Sequence, residues 1–181
     1  QNKILSEIDK DLRSETRMFR LLQGDVGSGK TILALIAAAK VLEDGFQVAF
    51  MAPTEILAKQ HYDLAISLFK KTNINIGLLT SKIVGTEKNK IINSISDGNI
   101  NFLFGTHSLF QKKIKFSNLG FIIIDEQHKF GVKQRERITS RYSNQPHLIY
   151  MSATPIPRTL ALVLYENMNY IKILDKPASQ K

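Results

Sequence analysis

The sequence predicts an α/β fold in which a mostly parallel sheet is covered by helices on both faces. Short apolar stretches alternate with longer segments whose apolar residues recur at helical spacing. In the first such unit, a strand over residues 18–22 precedes a helix over residues 31–42, where Ile32, Leu35 and Ala39 share one side. Alternation of strand and helix is typical of units that join parallel strands through a helix.

The same alternation continues to the end of the chain. Further strands are predicted over residues 47–51, 74–79, 101–105, 121–124 and 147–151. Further helices are predicted over residues 55–69, 86–96 and 157–165. Parallel sheets bind their ligands at the carboxyl ends of the strands, so the residues that follow each strand are the candidates for a functional site.

Composition limits the possible classes of protein. The chain has 181 residues, 43% of them hydrophobic, which is enough for one domain with a buried core. It contains no cysteine, which excludes disulfides and thiolate zinc sites and predicts a cytoplasmic location. No apolar run is long enough to span a membrane. The net charge of +9 favours a polyanionic partner.

Residues 24–31 match the pattern G-x-x-x-x-G-K-[ST] of a phosphate-binding loop. The predicted nucleotide-binding residues are Gly24, Asp25, Val26, Gly27, Ser28, Gly29, Lys30 and Thr31. Glycines allow the tight turn that points backbone N–H groups at phosphate oxygens. Lys30 is expected to contact the β- and γ-phosphates of ATP, and the Thr31 hydroxyl to bind Mg²⁺.

A second half of this site follows the strand predicted over residues 121–124. That strand is wholly apolar and ends at Asp125 and Glu126. A strand buried on both faces delivers these acids to the edge of the sheet that carries the phosphate loop. We expect Asp125 to hold Mg²⁺ and Glu126 to orient and deprotonate the attacking water, so that Lys30, Asp125 and Glu126 are the catalytic residues.

Several segments resemble the motifs of superfamily 2 helicases and translocases. Residues 125–128 read Asp-Glu-Gln-His, similar to the DExH box of that superfamily. Residues 51–61 resemble its motif Ia, residues 104–107 its motif Ib, and residues 151–155 its motif III. The motifs stand in the order that the superfamily has.

Residues 125–135 and 152–160 are similar to the RecG family of bacterial DNA helicases. The related transcription-repair coupling translocases share part of these runs but usually carry glutamate where this chain has Gln127, so RecG is favoured. The resemblance implies a RecA-like P-loop fold and an ATP-driven enzyme that remodels branched DNA, such as stalled forks, Holliday junctions and R-loops, in recombination and repair.

The RecG resemblance also implies a domain organisation. Residues 1–174 correspond to the first of two RecA-like motor lobes, the ATP-binding domain. Residues 175–181 have the composition of a linker that leads towards the second lobe. The implied partners are that second lobe, a DNA-binding wedge domain in the full-length chain, and DNA that is branched or forked.

The resemblance assigns further residues to DNA binding and to coupling. Contacts to the DNA backbone are implied for Pro53, Thr54, Thr106 and His107. Coupling between ATP and DNA is implied for Gln127, His128, Ser152, Thr154 and Arg135. Thr54 also suits a helix N-cap, which is compatible with a phosphate contact, and His107 also suits a packed position. We expect structural roles for His61 and His147.

One segment departs from the family pattern, and the role of one further residue is open. The family often has Thr-Gly-Ser where this chain reads Thr80-Ser81-Lys82, which puts a backbone–phosphate contact there in doubt. Gln1 is a candidate for an adenine-reading glutamine.

Other classes of P-loop protein fit less well. A GTPase needs Asn-Lys-x-Asp, but Asn89-Lys90 is followed by Ile92 in place of the aspartate. Kinases lack the continuation Gln127-His128. A non-catalytic DNA- or protein-binding module of the same fold is the remaining alternative, although such a module has no need of Lys30 or Glu126.

Overall fold

A computed structural model of the chain describes residues 2–14, 16–125, 142, 145–154 and 169–173. The strands are β1 (Phe19–Gln23), β2 (Gln47–Met51), β3 (Ile76–Leu79), β4 (Phe102–Gly105), β5 (Leu119–Ile124), β6 (His147–Ser152) and β7 (Asn169–Lys172). The helices are α1 (Asn2–Leu12), α2 (Lys30–Glu43), α3 (Glu55–Leu68) and α4 (Gly85–Ser96), with a short 3₁₀ helix at His107–Phe110.

The strands form one seven-stranded sheet in the order β3-β4-β2-β5-β6-β1-β7. Every neighbouring pair is parallel. Strand β2 shows how both faces are buried, because Phe50 packs into a core with residues of α1, α2 and α3, while Ala49 packs into a second core with Ile95 of α4. The predicted α/β fold with helices on both faces is therefore confirmed.

Burial on both faces explains the apolar sequences of the central strands. Phe121, Ile122, Ile123 and Ile124 of β5 have no exposed surface. A strand between two neighbours and two helical layers has no solvated side, so its residues do not alternate between polar and apolar types. The expectation that β5 is buried and delivers Asp125 at its end is confirmed.

Three elements were not predicted from the sequence: helix α1, strand β7 and the 3₁₀ helix at His107–Phe110. Helix α1 packs its Ile8 into the core and is tied to β1 by an ion pair in which Arg20 Nε lies 2.5 Å from Asp11 Oδ2. Strand β7 pairs with the outer side of β1. The apolar spacing Ile4, Ile8, Leu12 was the available signal for α1. The helix predicted over residues 157–165 lies outside the described residues.

The register of the sheet aligns the carboxyl ends of its strands. Gln23 of β1 lies opposite Ser152 of β6, while Met51 of β2 lies opposite Ile124 of β5 and Gly105 of β4. The segments that follow these strands therefore share one edge of the sheet. Within the described residues, none of the helices is both long and apolar enough to cross a membrane.

His147 lies at the opposite edge, at the start of β6. Its Nδ1 accepts a hydrogen bond of 3.0 Å from the backbone N–H of Met18, which requires that this nitrogen carries no proton. Burial, followed by the charge of Arg17, lowers the pKa of His147, and Asp11 opposes the shift. His147 has the structural role that the sequence predicts.

His147 should make stability depend on pH. Because its folded pKa lies below the ordinary value of about 6.5, its contribution is complete above that pH and is lost as pH falls through the folded pKa. The slope is at most about 1.4 kcal/mol per pH unit. His147→Asn keeps an acceptor and cannot titrate, so its free energy of unfolding, measured with denaturant between pH 5 and 8, should lack this slope. Parallel curves for both proteins would contradict the assignment.

Candidate functional site

The phosphate-loop motif links β1 to α2, and its glycines are required by the backbone. Gly27 and Gly29 have φ angles of 82° and 87°, in the left-handed region that side chains disfavour. A Cβ on Gly24 would lie 2.7 Å from Ser28 Oγ. The loop can therefore close around a small concavity only with glycine at these positions.

The side chain of Lys30 folds back over this concavity. Its Nζ donates to the carbonyl oxygens of Gly24 at 2.5 Å and Asp25 at 2.8 Å. Gly29 precedes the helix and has no side chain with which to cap it, so the positive end of α2 faces the same loop. An ammonium group, a helix N-terminus and a tight loop together form a site suited to phosphate. Thr31, at the second position of α2, is partly exposed.

Asp125 follows β5 at the same edge of the sheet, with β6 between its strand and β1. Its backbone N–H donates to the carbonyl of Met51 at 2.8 Å, and its side chain is 11% exposed. Nε2 of His61, on α3, lies 2.8 Å from Asp125 Oδ2. The sequence predicts a structural role for His61, and its contact with a candidate catalytic carboxylate was missed. Glu126 lies outside the described residues.

The end of β6 contacts the start of the phosphate loop. Gly24 N–H donates to the carbonyl of Ser152 at 3.2 Å, and the side-chain amide of Gln23 donates to the carbonyl of Thr154 at 2.5 Å. The hydroxyls of Ser152 and Thr154 are 3.0 Å apart. Two of the predicted coupling residues thus lie against the loop that is predicted to bind ATP.

Gln23 was not identified from the sequence, although a polar residue between the apolar run of β1 and the phosphate loop was an available signal; in the structure Gln23 is buried. The other predicted coupling residues, Gln127, His128 and Arg135, lie outside the described residues, as does Gln1.

A groove of about 420 Å³ opens where β2, β3 and β4 end. It contains all the residues that were predicted to contact DNA: Pro53, Thr54, Thr106 and His107. Its other lining residues are Glu55, Leu79, Thr80, Ser81, Lys88, Ser108 and Gln111. Most of these groups are small and polar or hydroxyl-bearing, and such groups can hydrogen-bond phosphate oxygens.

The threonines of the groove have different surroundings. Thr54 is the N-cap of α3, because its Oγ1 accepts from Leu57 N–H at 3.2 Å. Thr106 is buried, and its Oγ1 lies 3.3 Å from Ser108 Oγ. The adjoining Gly105 has no room for a side chain, since a Cβ there would lie 2.5 Å from the carbonyl oxygen of Leu79. His107 is exposed at the rim rather than packed.

Glu55 contacts the segment where the chain departs from the family pattern, Thr80-Ser81-Lys82. Its Oε1 accepts from the backbone N–H of Ser81 at 2.6 Å. Hydrogen bonds from Ser81, with the charge of Lys82 as a smaller cause, lower the pKa of Glu55. In the sequence analysis, a contact between this backbone segment and phosphate was in doubt. The structure shows that the N–H of Ser81 donates to the Glu55 carboxylate.

Comparisons with known proteins agree with these features. The family model for "DEAD/DEAH box helicase" matches residues 1–163. The chain is 46% identical over its whole length to "ATP-dependent DNA helicase RecG" of Aquifex aeolicus (strain VF5), and 45% identical to the protein of that name from Bacillus subtilis (strain 168). It spans 23% and 26% of their lengths, respectively.

Solved structures show the same fold. A structure of RecG bound to a three-way DNA junction superimposes with a TM-score of 0.84 at 42% identity, covering 99% of this chain and 24% of that one. A DEAD box protein from Methanococcus jannaschii, at 21% identity, superimposes with a TM-score of 0.69, covers 94% of this chain and 48% of that one, and supports the fold alone. With its phosphate loop, its Asp125 strand end and this family match, the chain belongs to the DEAD/DEAH box helicases.

Proposed function

We propose that this chain is the ATP-binding motor lobe of a RecG-like DNA helicase that remodels branched DNA in recombination and repair. The observation that carries the proposal is the shared edge of the sheet, where the phosphate loop, Asp125 and the polar groove all follow carboxyl ends of strands. An ATP site and a nucleic-acid site built on one set of strand ends can influence each other directly. The identity with RecG proteins over the whole chain supports this reading.

The residues present fit Mg²⁺ and ATP. The concavity closed by Gly24, Gly27 and Gly29 suits a phosphate, and Lys30 can exchange its two carbonyl partners for phosphate oxygens. The Thr31 hydroxyl and the Asp125 carboxylate would hold Mg²⁺, since hard cations prefer oxygen ligands. When bound, the metal neutralises charge on the phosphates. Glu126 would orient the attacking water and accept its proton.

The groove would bind the sugar–phosphate backbone of DNA. Thr54 and Thr106 offer hydroxyls, His107 and Lys88 offer N–H groups, and the lining contains no phenylalanine, tyrosine or tryptophan. Backbone contacts fix the position of a protein on DNA without reading its sequence. That property suits a motor that moves along any sequence.

Coupling would run through the contacts between β1 and β6. Ser152 and Thr154 bond to Gly24 and Gln23, so a change in loop conformation on nucleotide binding changes the partners of motif III directly. By resemblance, Gln127, His128 and Arg135 complete this layer. The second lobe and the wedge domain of the full-length protein would supply the remaining DNA contacts.

Two other functions fit the chain less well. A transcription-repair coupling translocase has the same lobe, but Gln127 and the RecG names of the relatives described above favour RecG. A non-catalytic module has no use for a lysine that reaches into a phosphate loop or for an acid after Asp125, and the chain has both Lys30 and Glu126.

The test of this function is strand separation by the full-length protein. We expect ATP-dependent separation of a forked DNA and much slower separation of a linear blunt duplex. A non-hydrolysable ATP analogue should support neither reaction. Equal activity on both DNAs would contradict the preference for branches, and no separation of the fork would overturn the helicase assignment.

Lys88 allows the groove to be tested separately. Lys88→Ala should weaken binding to forked DNA of any sequence and reduce the slope of log affinity against log salt by about 1, the loss of one phosphate contact. Lys71→Ala is the matched control, because Lys71 is an exposed lysine just after α3 and does not line the groove. Equal slopes for the two variants, measured with fluorescent DNA, would place the DNA elsewhere.

A further inference from the structure

His61, on α3, directs a ring nitrogen at a carboxylate that lies outside its own helix. Nε2 lies 2.8 Å from Oδ2 of Asp125, and the two side chains are 12% and 11% exposed. The N–H donates and the carboxylate accepts, since an ionised carboxylate has no proton to give. This contact joins α3 to the end of β5, across 64 residues of sequence.

The imidazole of His61 is held in place by aromatic packing. Its ring lies 4.7 Å from the ring of Phe50, at an interplanar angle of 39°. Phe50 in turn stacks on Phe104 at 5.1 Å. Both phenylalanines belong to central strands and are fully buried. The donor that meets Asp125 is therefore fixed by the core of the sheet rather than by a mobile surface chain.

Asp125 is constrained from two directions. Its backbone N–H is bonded to the Met51 carbonyl at 2.8 Å, which fixes the main chain at the end of β5. The His61 bond to Oδ2 restricts rotation of the carboxylate on that main chain. Carboxylates that bind metals are commonly held by such outer hydrogen bonds, and losing one typically costs 10–100-fold in metal affinity or activity.

We propose that His61 is a positioning residue that holds the Asp125 carboxylate in the orientation that receives Mg²⁺. The inference rests on the proposed function, in which Asp125 is the carboxylate of the metal site. In this role His61 would act through Asp125 and would contact neither nucleotide nor metal itself. The aromatic contact with Phe50 alone does not account for histidine, because phenylalanine or tyrosine would pack on that ring without placing an N–H on Asp125.

Two substitutions separate positioning from packing. His61→Phe keeps a ring against Phe50 and removes the donor. His61→Gln removes the ring but can place its amide N–H near the position of Nε2. If His61 positions Asp125, His61→Gln should keep the Mg²⁺ response that His61→Phe loses. If His61 only packs, His61→Phe should keep that response and His61→Gln should lose it.

The measurement is the Mg²⁺ dependence of nucleotide binding by the full-length protein. A fluorescent, non-hydrolysable ATP analogue is held at fixed concentration while Mg²⁺ is titrated, and a parallel binding curve is taken in chelator. We expect His61→Phe to raise the half-saturating Mg²⁺ concentration by about 10–100-fold. Its affinity for the analogue in chelator should match that of the parent. His61→Gln should stay within about threefold of the parent in both conditions.

Opposite results would overturn the proposal. If His61→Phe needs no more Mg²⁺ than the parent, or if His61→Gln is the more impaired variant, His61 only packs. Thermal unfolding is measured for each protein, and His61→Leu repeats the loss of the donor if the phenylalanine variant does not fold.

The same titration distinguishes this failure from failure of the proposed function. Lys30→Ala should lose binding both with Mg²⁺ and in chelator, because Lys30 contacts phosphate directly. If the parent does not bind the analogue, or if Lys30→Ala binds like the parent, the ATP site itself is wrong. If the parent binds and responds to Mg²⁺ while His61→Phe behaves identically, only the role of His61 fails.

Discussion

Replacing Lys30 with alanine in the full-length protein is expected to lower ATP affinity at least about 100-fold. Lys30 Nζ lies inside the phosphate loop, where it donates to the Gly24 and Asp25 carbonyls. Hydrogen bonds to charged groups contribute about 1.5–3 kcal/mol each. Two bonds from Lys30 to the phosphates would contribute about 3–6 kcal/mol, and every 1.4 kcal/mol is tenfold in affinity.

The fold should survive this substitution. Lys30 lies at the first position of α2, where its side chain packs into neither core cluster, and the neighbouring Asp25 and Val26 are exposed. Removing the side chain opens the concavity to water, which can replace the ammonium as a partner of the loop carbonyls. We therefore expect little change in the unfolding temperature.

Calorimetric titration with a non-hydrolysable ATP analogue, beside thermal unfolding, measures both expectations. Lys40→Ala is the matched control, since it removes the same charge from the last turn of the same helix, where Lys40 pairs with Asp9. Lys40→Ala should leave nucleotide affinity unchanged. Unaltered ATP affinity in Lys30→Ala would refute the phosphate-loop assignment.

ATP turnover by residues 1–181 alone is expected to fall below that of the full-length protein by about 10³–10⁵-fold. An arginine that stabilises the transferring phosphoryl group contributes a factor of that size. In the described part of the chain the arginines are engaged away from the loop: Arg13 bonds Asp9, Arg17 bonds the Pro146 carbonyl and Arg20 bonds Asp11. By resemblance, the arginine that completes the site comes from the second lobe.

Steady-state ATP hydrolysis should be measured for both proteins with and without forked DNA. Comparable DNA-stimulated rates would show that one lobe is a complete ATPase.

The parts of the fold that were predicted correctly are those that a short stretch of sequence is enough to indicate. Strand β2 was placed at Gln47–Met51 and the phosphate loop at residues 24–31, because alternation with helices and the glycine–lysine spacing are visible along the chain. Strand β7 was missed because Asn169–Lys172 has a polar residue at each end and only two residues between them, so it lacks the apolar run that marks the central strands.

In the candidate site, too, some residues could be predicted from local sequence, while other contacts depend on how distant elements pack. The acids after β5 could be identified because an apolar run ends at them. The bond between His61 and Asp125 could not, since it depends on how α3 packs over Phe50. The assignments of Glu126, Gln127, His128 and Arg135 rest on the sequence and remain predictions.

The end of β2 belongs to both halves of the site at once. The carbonyl of Met51 holds Asp125 N–H, and the next residues, Ala52 and Pro53, lead straight into the groove and α3. For protein engineering, this means that the groove cannot be replaced independently of the strand end at Asp125. A graft of another family's loop onto this sheet must reproduce the path of the chain at Met51 and Ala52, because the Met51 carbonyl also fixes the main chain at Asp125.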